Sequence, residues 1–386
     1  MKKMLKLLCI FLSLFFMGTT AVDNALAENI KVGVILPLTG KLARFGEIEQ
    51  KSFRLAVEEI NATGGVNGNR IDLIIEDTTG RPDVGRSAIE KLILQDKVVV
   101  VGGGWSSSVT WAAATVARQR KVPFLVNTAS ADKITEQGWK YIFRMNPPVS
   151  EHPRALASFL RKVAPVKTAA ILHENTYSGQ FGAKRFVKLC EELSIEVVMN
   201  EGYEAGATEL DPLLLEVKAK DPDLVYMNSS PMDASLLMQQ AKILNLNPKL
   251  YIGNAAGFTG EAAEYVYSPT LWTPSVPYPG ARDYYDRFVA KYDTPPGYHG
   301  AQAYAAMYVI ADALKRAESL TPKGVRDALS ETEMMTVLGP VKFVSYGKKT
   351  QQNSLPTYIV QWIDGKLETV WPKEVATARY VYPVPE

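Results

Sequence analysis

Three serines follow three glycines in the segment VVVVGGGWSSSVTWAAA, residues 98–114. The valines are typical of a buried strand and the alanines of a helix, so the glycines and serines form the turn between them. Glycines allow a sharp turn, the hydroxyls of Ser106, Ser107 and Ser108 can cap the helix, and its free N–H groups point outward. No lysine or arginine stands beside them to suit a phosphate. The turn therefore predicts a neutral site for a carboxylate, with Ser106 and Ser107 among its ligand-binding residues.

Two other interpretations of this turn are weaker. A well-capped turn with no further role accounts for one serine, whereas three are present. Gly102 and Gly104 have the first spacing of the dinucleotide-binding motif G-x-G-x-x-G, but Ser107 stands where the third glycine belongs. A nucleotide cofactor is therefore not expected.

A serine hydrolase would need a general base beside Ser106 or Ser107. The histidines His152, His173 and His299 share no common spacing, and the nucleophile motif Gly-x-Ser-x-Gly is absent. They also lack the spacing of metal ligands, and we expect them in loops or on the surface. We therefore predict no enzyme activity, no cofactor and no bound metal.

The elements around the turn alternate between apolar runs typical of buried strands and amphipathic stretches typical of helices. The pattern begins at Ile30 and starts again after Pro147 and Pro148, which deny backbone donors and hold the chain extended. A Pro-rich segment at 268–279 indicates a second crossing, and helices are predicted behind it over 281–292 and 301–318. The fold class is α/β, with two doubly wound parallel-sheet lobes joined by a three-crossover hinge.

The amino-terminal residues are typical of an export signal. Lysines precede an apolar run over residues 7–17, and a small-x-small pattern ends at Ala27. The apolar run is shorter than the ~20 residues of a membrane-spanning helix, so an anchor is the less favoured alternative. Removing residues 1–27 takes three lysines and one aspartate from 43 basic and 41 acidic residues, so the mature chain is formally neutral. This balance disfavours nucleic acid or a membrane surface as partner.

Only one cysteine, Cys190, lies outside the predicted signal. An intrachain disulfide in the mature protein is therefore impossible, although the destination is oxidising. We expect Cys190 to be a small buried hydrophobic residue and not a reactive thiol.

Two further loops follow predicted strands of the first lobe. The segment LPLTGKLARFGEIEQ carries Phe45, and FLVNTASADKIT carries Thr128 and Ser130. In an open parallel sheet, ligands gather at the carboxyl ends of the strands, where such loops meet. These loops, together with Trp105 and Tyr177, could contact the same ligand.

Five segments then show a resemblance to type I periplasmic solute-binding proteins, specifically the leucine/isoleucine/valine-binding family of ABC importers. The resemblance covers nearly the whole mature chain, and the segments come in the order that the family shows. They are KVGVILPLTGKLARFGE, AVEEINATGGVNGNRIDLIIEDTTGRP, GGGWSSSVT, PFLVNTASADKIT and YAAMYVIADALKRA.

The resemblance implies roles for particular residues. Ser106 would bind the ligand carboxylate by its hydroxyl, and Ser130 would do so by hydroxyl and amide. Thr128 would offer its carbonyl to a ligand donor, Phe45 would line the pocket, and Tyr177 would lie near the ligand-facing loop of the second lobe.

The sequence departs from the family pattern at three places. Cysteines that often join the two loops of the first lobe are absent, with Gly80 and Trp105 in those loops, so Trp105 can enter the pocket mouth. A common tyrosine is replaced by Ser230. Where amino-acid binders place an acid against the ligand ammonium, this chain has Ala255 and Ala256.

The third departure bears on the ligand. An ammonium group buried against alanines would stay unpaired, at a cost of several kcal/mol. We therefore favour a carboxylate or amide with an apolar or aromatic body. An amino acid stays open as the alternative, because an acid could still reach it from Glu174, Asp233 or Glu261.

The expected organisation follows from the resemblance. Residues 1–27 form the signal peptide, 28–147 and 276–355 form lobe 1, and 148–275 and 356–386 form lobe 2. We expect a periplasmic monomer that delivers a small-molecule ligand to the membrane permease of an ABC importer. The alternatives are a sensor that presents its closed form to a receptor and, less favoured, an exported hydrolase.

Overall fold

The computed structural model describes residues 29–253 and 263–385 of the chain. Its strands form two seven-stranded sheets and a small two-stranded one. We call each large sheet with the helices that pack on it a lobe. The predicted signal peptide, residues 1–27, lies outside the described residues.

Lobe 1 contains the first five strands, a late hairpin and six helices. Its strands are β1 (Ile30–Leu36), β2 (Ile71–Asp77), β3 (Val100–Gly103), β4 (Phe124–Val126), β5 (Ile142–Arg144), β13 (Val344–Tyr346) and β14 (Lys349–Gln352). Its helices are α1 (Ala43–Ala62), α2 (Pro82–Leu94), α3 (Ser107–Arg120), α8 (Ala281–Tyr292), α9 (Gly297–Arg316) and α10 (Pro322–Ser330). The small separate sheet pairs β11 (Glu333–Thr336) with β12 (Gly339–Lys342).

Lobe 2 repeats this plan, with four helices among its described residues. Its strands are β6 (Thr168–Glu174), β7 (Glu196–Tyr203), β8 (Leu224–Asn228), β9 (Leu250–Ile252), β10 (Tyr267–Thr270), β15 (Tyr358–Ile363) and β16 (Lys366–Trp371). Its helices are α4 (Arg154–Lys162), α5 (Tyr177–Leu193), α6 (Asp211–Lys220) and α7 (Pro231–Ile243).

The five early strands of the two sheets share one order, but the late hairpins differ, since β14 pairs β5 in parallel and β15 pairs β10 antiparallel. Lobe 1 has the strand order β13-β14-β5-β4-β3-β1-β2, and lobe 2 has β16-β15-β10-β9-β8-β6-β7. The five early strands of each sheet are parallel, and each late hairpin adds an antiparallel pair at one edge. The predicted class of two doubly wound α/β lobes is confirmed. In each sheet the strand order reverses at one point, between β1 and β3 or between β6 and β8, which is where such folds bind ligands.

The chain crosses between the sheets three times, after β5, after β10 and after β14. The predicted lobe boundaries at 147/148, 275/276 and 355/356 stay a prediction, because a crossing segment has no single residue at which one lobe ends. Among the described residues, no helix has the length and apolar character that crossing a bilayer requires.

The core of lobe 1 is built by two long helices from distant parts of the chain. Helix α9 is alanine-rich and buried over most of its length, and it packs along α1. Gly102 shows how tightly they meet the sheet, since a Cβ there would lie 3.2 Å from Ile310 of α9 and 3.5 Å from Phe53 of α1. The core is thus completed only by a helix about 250 residues after α1 in sequence.

Candidate functional site

The predicted lobe-1 residues lie in three loops at one edge of the sheet. Strands β1, β3 and β4 are adjacent and parallel, so their carboxyl ends meet. Backbone hydrogen bonds tie the loops together: Gly104 donates to the Ile35 carbonyl at 3.1 Å, and Ala129 donates to the Gly104 carbonyl at 2.8 Å. The loops after β1 and β3 flank the point where the strand order reverses.

Two glycines are required for this turn. Gly103 and Gly104 have φ values of +98° and +89°, which side chains with a Cβ rarely adopt. A Cβ on Gly103 would also lie 2.4 Å from the Ile35 carbonyl oxygen. The glycines therefore bring the loop against β1 and place Trp105 and Ser106 beyond the strand end.

The serines behave differently from the prediction that their hydroxyls cap the helix. Ser106 occupies the N-cap position of α3, but its hydroxyl makes no cap bond and lies 3.2 Å from the hydroxyl of Ser108. The Ser107 hydroxyl accepts from the Ala131 N–H at 3.1 Å. The capping prediction is thus wrong for Ser106, since that hydroxyl is turned to its neighbour, and Ser107 instead ties the β3 loop to the β4 loop.

Ser130 has its predicted ligand-binding groups unengaged. Its carbonyl accepts from the Val149 N–H at 2.7 Å. Neither its hydroxyl nor its amide hydrogen-bonds another residue in the described part of the chain, and the side chain is half-buried. Both donors can therefore serve a carboxylate.

Thr128 is buried behind this surface. Its carbonyl, predicted to meet a ligand donor, already accepts from the side-chain amide of Asn146, so a ligand would have to use the second lone pair. Its hydroxyl lies 2.6 Å from Glu49 Oε1, 2.9 Å from Gln302 Oε1 and 2.9 Å from Asn127 Nδ2.

Glu49 is a buried acid that the sequence analysis did not single out. Burial raises the pKa of its carboxyl to about 7, against the lowering effect of hydrogen bonds from Asn127 and Thr128. The hydrogen bonds agree with a protonated acid. A hydroxyl has one proton and two acceptor positions, so Thr128 can donate to Gln302 only if Glu49 donates to Thr128. The available signal was its position on the apolar face of α1, four residues after Phe45 and four before Phe53.

An aromatic cluster forms one side of the site. Phe45 stacks on Trp105 with ring centroids 4.7 Å apart, and His299 lies 5.2 Å from Phe45 and 5.7 Å from Trp105. Tyr298 lies 4.0 Å from the His299 ring. Phe45 and Trp105 were predicted to line the pocket, whereas Tyr298 and His299 were not predicted as ligand-binding residues.

The expectation that histidines lie in loops or on the surface is wrong for two of them. His173 lies buried in β6, and His299 lies in the first turn of α9. Burial lowers the pKa of His299 to about 3, so its ring is neutral at physiological pH. The Nδ1 atom of His299 and the indole nitrogen of Trp105 are buried without a partner among the described residues.

Lobe 2 places Ser230 and Glu174 at its own point of strand reversal. Ser230 is the N-cap of α7 and donates its backbone N–H to Glu174 Oε1. Asp233 is buried and accepts from the Gly206 N–H at 2.9 Å. Both candidate acids for a ligand ammonium therefore already accept a backbone N–H.

The other predicted lobe-2 positions are Tyr177, Ala255, Ala256 and the candidate acid Glu261. Tyr177 begins α5, next to the N-cap Thr176. Ala255, Ala256 and Glu261 lie outside the described residues. Their roles stay predictions.

The geometry does not assemble a hydrolase or a metal centre in the part of the chain that the structure describes. No histidine nitrogen hydrogen-bonds a serine there: His152 contacts the Pro147 carbonyl at 3.1 Å, and His173 contacts that of Glu174 at 3.0 Å. The same residues contain no group of three or more side chains that could hold a metal ion. The site is therefore suited to binding by hydroxyls, amides and aromatic rings.

Comparisons with known proteins agree with this arrangement. Residues 29–366 match the family described as periplasmic binding protein. The chain is 29% identical to the Leu/Ile/Val-binding protein homolog 7 of Brucella suis biovar 1 (strain 1330), over 92% of this chain and 95% of that protein.

Solved structures share the fold. The branched-chain amino acid transporter substrate-binding protein LivJ of Streptococcus pneumoniae, in complex with isoleucine, has a TM-score of 0.75 and 26% identity, covering 89% of this chain and 100% of that chain. A solute-binding protein of an ABC transporter from R. palustris, in complex with benzoate, has a TM-score of 0.72 and 22% identity, covering 92% of this chain and 98% of that chain.

Proposed function

Because the chain belongs to the periplasmic binding protein family, we propose that it captures a small carboxylate-bearing solute between its lobes and delivers it to the membrane permease of an ABC importer. One observation carries the proposal. The unengaged hydroxyl and amide of Ser130 lie in the loop that Ser107 ties to the Ser106 loop, at the edge where the strand order reverses. Hydroxyl and amide donors bind a carboxylate without a counter-charge.

For the solute itself, we propose an apolar or aromatic body without an ammonium group. The stacked rings of Phe45 and Trp105 offer an aromatic surface beside the serine loops. The Ser230 and Gly206 N–H groups each bond one carboxylate oxygen of Glu174 and Asp233, so these acids keep open acceptor positions, and the preference for an ammonium-free solute rests on the predicted position of Ala255 and Ala256. Among proteins with this fold, one holds isoleucine and another benzoate, which both carry a carboxylate.

The proposal also covers the location of the protein, its oligomeric state and its lack of catalysis. We infer a periplasmic location, with residues 1–27 as a cleavable signal, and a monomer that binds its solute without catalysing a reaction. Support comes from the family and from the binding groups, which are hydroxyls and amides without an adjacent general base.

The proposed ligand class is tested by a thermal-shift and calorimetric screen of the mature protein. Two matched sets are compared: α-amino acids, and the same skeletons as carboxylates or amides without the ammonium. Saturation at ~100 times Kd adds ~2.7 kcal/mol to the free energy of unfolding, which gives a shift of a few degrees. Shifts only with the ammonium-free set support the proposal, and shifts only with amino acids contradict its ligand class.

We call the proposed carboxylate-binding groups of Ser106 and Ser130 the serine anchor. It is tested by Ser106→Ala and Ser130→Ala. Each removes a hydroxyl from a charged ligand group, so we expect affinity to fall roughly tenfold to a hundredfold for every carboxylate that binds. Ser87→Ala on the exposed face of α2 is the matched control and should leave affinity unchanged. Unchanged affinity in both anchor variants would mean that the carboxylate binds elsewhere.

A further inference from the structure

A cavity of about 230 Å³ lies where the two lobes meet the first two crossings. Its described lining comes from both lobes: Arg185 and Phe186 on α5, Tyr226 on β8, Thr270 at the end of β10, Tyr298 on α9, and His152 from the first crossing. An engineered cavity of ~150 Å³ is known to hold a benzene ring, so this one has room for a ring with a substituent. Among the predicted ligand-binding residues whose side chains the structure describes, none lines it.

Arg185 is the charged group of this cavity. Its guanidinium donates to the Val149 carbonyl, and no ion pair forms with any carboxylate among the described residues. Burial lowers the pKa of Arg185, but an arginine stays protonated at physiological pH. As far as the structure describes its lining, the cavity therefore holds a positive charge without an ion-pair partner, which a carboxylate would satisfy with two parallel hydrogen bonds.

The rest of the lining is neutral. His152 lies 3.1 Å from the Pro147 carbonyl, which can only accept, so its Nε2 carries the proton. Burial lowers the pKa of His152 to about 4, which keeps the ring uncharged. No carboxylate among the described lining residues thus competes for Arg185.

An aromatic wall stands beside the guanidinium. Phe186 and Tyr226 stack face to face, with centroids 3.9 Å apart and ring planes 1° from parallel. The hydroxyls of Tyr226 and Tyr298 bond no other residue in the described part of the chain, so both can donate to a ligand. A flat ring and an acidic substituent match these surfaces.

Arg185 is also close to the serine anchor. Val149 accepts from Arg185 through its carbonyl and donates to the Ser130 carbonyl through its N–H at 2.7 Å. One residue and two hydrogen bonds therefore separate the Ser130 carbonyl, in the residue whose hydroxyl and amide form the proposed anchor, from the guanidinium, and this span to the carbonyl is roughly 10 Å at most. A six-membered ring with an acid at each end can bridge such a span.

We propose that the cavity is a second anion subsite, in which Arg185 binds a second carboxylate of the same solute while its ring lies against Phe186 and Tyr226. The preferred solutes are then ring dicarboxylates. This inference rests on the proposed function, which supplies the first carboxylate site at Ser106 and Ser130.

The test is calorimetric titration of the mature protein with terephthalate and with its monoamide, 4-carbamoylbenzoate. The two have the same shape and differ in one negative charge. We expect terephthalate to bind at least tenfold more tightly to the wild type. Arg185→Gln should abolish that preference, and Arg185→Lys, which keeps the charge without the forked donors, should retain part of it. Lys184→Gln removes an exposed charge from the same helix and should keep the preference intact.

The outcomes separate this inference from the proposed function. The proposed function stands if monocarboxylates bind and Ser106→Ala weakens their binding. The second subsite is then refuted if the wild type shows no preference for terephthalate, or if Arg185→Gln retains that preference. If no carboxylate binds, the proposed function fails as well. If Arg185→Gln does not fold, the preference for terephthalate is compared between Arg185→Lys and Lys184→Gln. An equal preference in these two variants would contradict a guanidinium site.

Discussion

The loops that follow the strands, which form the two walls of the proposed binding cleft, are held differently in the two lobes. In lobe 1 the loop over residues 127–135 is cross-linked from several directions: Thr128 bonds Glu49, Gln302 and Asn146, and Ser107 bonds the loop at Ala131. In lobe 2 the described loops after β6, β7 and β8 are joined by Ser230 to Glu174, Gly206 to Asp233, Tyr203 to Ser229 and Asn175 to Glu204. Most of the lobe-1 hydrogen bonds are buried, and those of lobe 2 are partly buried or exposed, so we expect the proposed lobe-1 anchor to be the more rigid of the two walls.

This difference suggests that lobe 1 contributes mainly to affinity and lobe 2 mainly to selectivity. A rigid carboxylate anchor lowers the entropic cost of binding for any solute that carries the group. We then expect discrimination among such solutes to depend on the lobe-2 wall and on the aromatic cluster around Phe45 and Trp105. Variants in the lobe-1 network should consequently change stability, and variants in lobe 2 should change selectivity.

The largest effect is expected for Arg144→Met. Arg144 is fully buried, and its guanidinium donates to Gln352, the Ala131 carbonyl and Thr135 at 2.6, 2.6 and 2.9 Å. Methionine would leave these acceptors unsatisfied, so we expect a loss of ~3–5 kcal/mol in urea unfolding. Weaker carboxylate binding should accompany it, because the same loop carries Ser130.

Two reference variants give this result its meaning. Arg120→Met, on the exposed end of α3, should change stability by no more than ~0.5 kcal/mol. The lobe-2 variant Asp233→Asn keeps an acceptor for the Gly206 N–H and should cost ~1 kcal/mol. An equal loss for Arg144→Met and Asp233→Asn would contradict the contrast between the walls.

A second effect, dependent on pH, is expected for Glu49→Gln. The folded-state pKa of about 7 lies above the unfolded value of 4.5, so the folded protein holds a proton that the unfolded chain has released between these pH values. Wild-type stability should therefore decrease as pH rises through this window, by about 3 kcal/mol in total.

The variant lacks this titration. Its stability relative to wild type should increase between pH 4.5 and pH 8, as measured by chemical unfolding across that range. Glu47→Gln, on the exposed side of the same helix, is the control and should show no such trend. A flat difference for Glu49→Gln would mean that the buried carboxyl is ionised at all of these pH values.

The smallest effect concerns Cys190 in the core of lobe 2. Burial raises the pKa of its thiol to about 12, so we expect no alkylation in the native state and rapid alkylation on unfolding. If each lobe opens by itself, Arg144→Met should change the alkylation rate by less than ~2-fold. An acceleration that matches the loss of lobe-1 stability would show that the lobes unfold as one unit.

Much of the architecture could be predicted from the sequence. Helix α8 was predicted to the residue, because left-handed Gly280 and Asp293 stand at its two ends. Asp364 and Gly365 form a pair typical of two-residue hairpin turns, and both have positive φ between β15 and β16. The expected buried thiol of Cys190 is confirmed. Strands β13 and β14 were missed, since a short polar segment such as KTQQ becomes a strand only by pairing with β5.

The site was harder to predict than the fold. The loops with Phe45 and Trp105 could be assigned to one edge because parallel strands bring their carboxyl ends together. Glu49, His299 and Arg185 were not identified, since the burial of a polar side chain depends on partners far away in sequence. Glu49 meets Thr128 across 79 positions, and no local pattern encodes that contact.

The packing of α9 along α1 has a kinetic consequence. The first five strands of lobe 1 are complete by Arg144, but the helix that covers their core ends only at Arg316, after most of lobe 2. Closing so long a loop costs chain entropy before any buried contact compensates for it, and contacts of high sequence separation slow folding. A growing chain therefore acquires most of the strands of lobe 2 before lobe 1 can close over its own core, and that closure joins two helices about 250 residues apart.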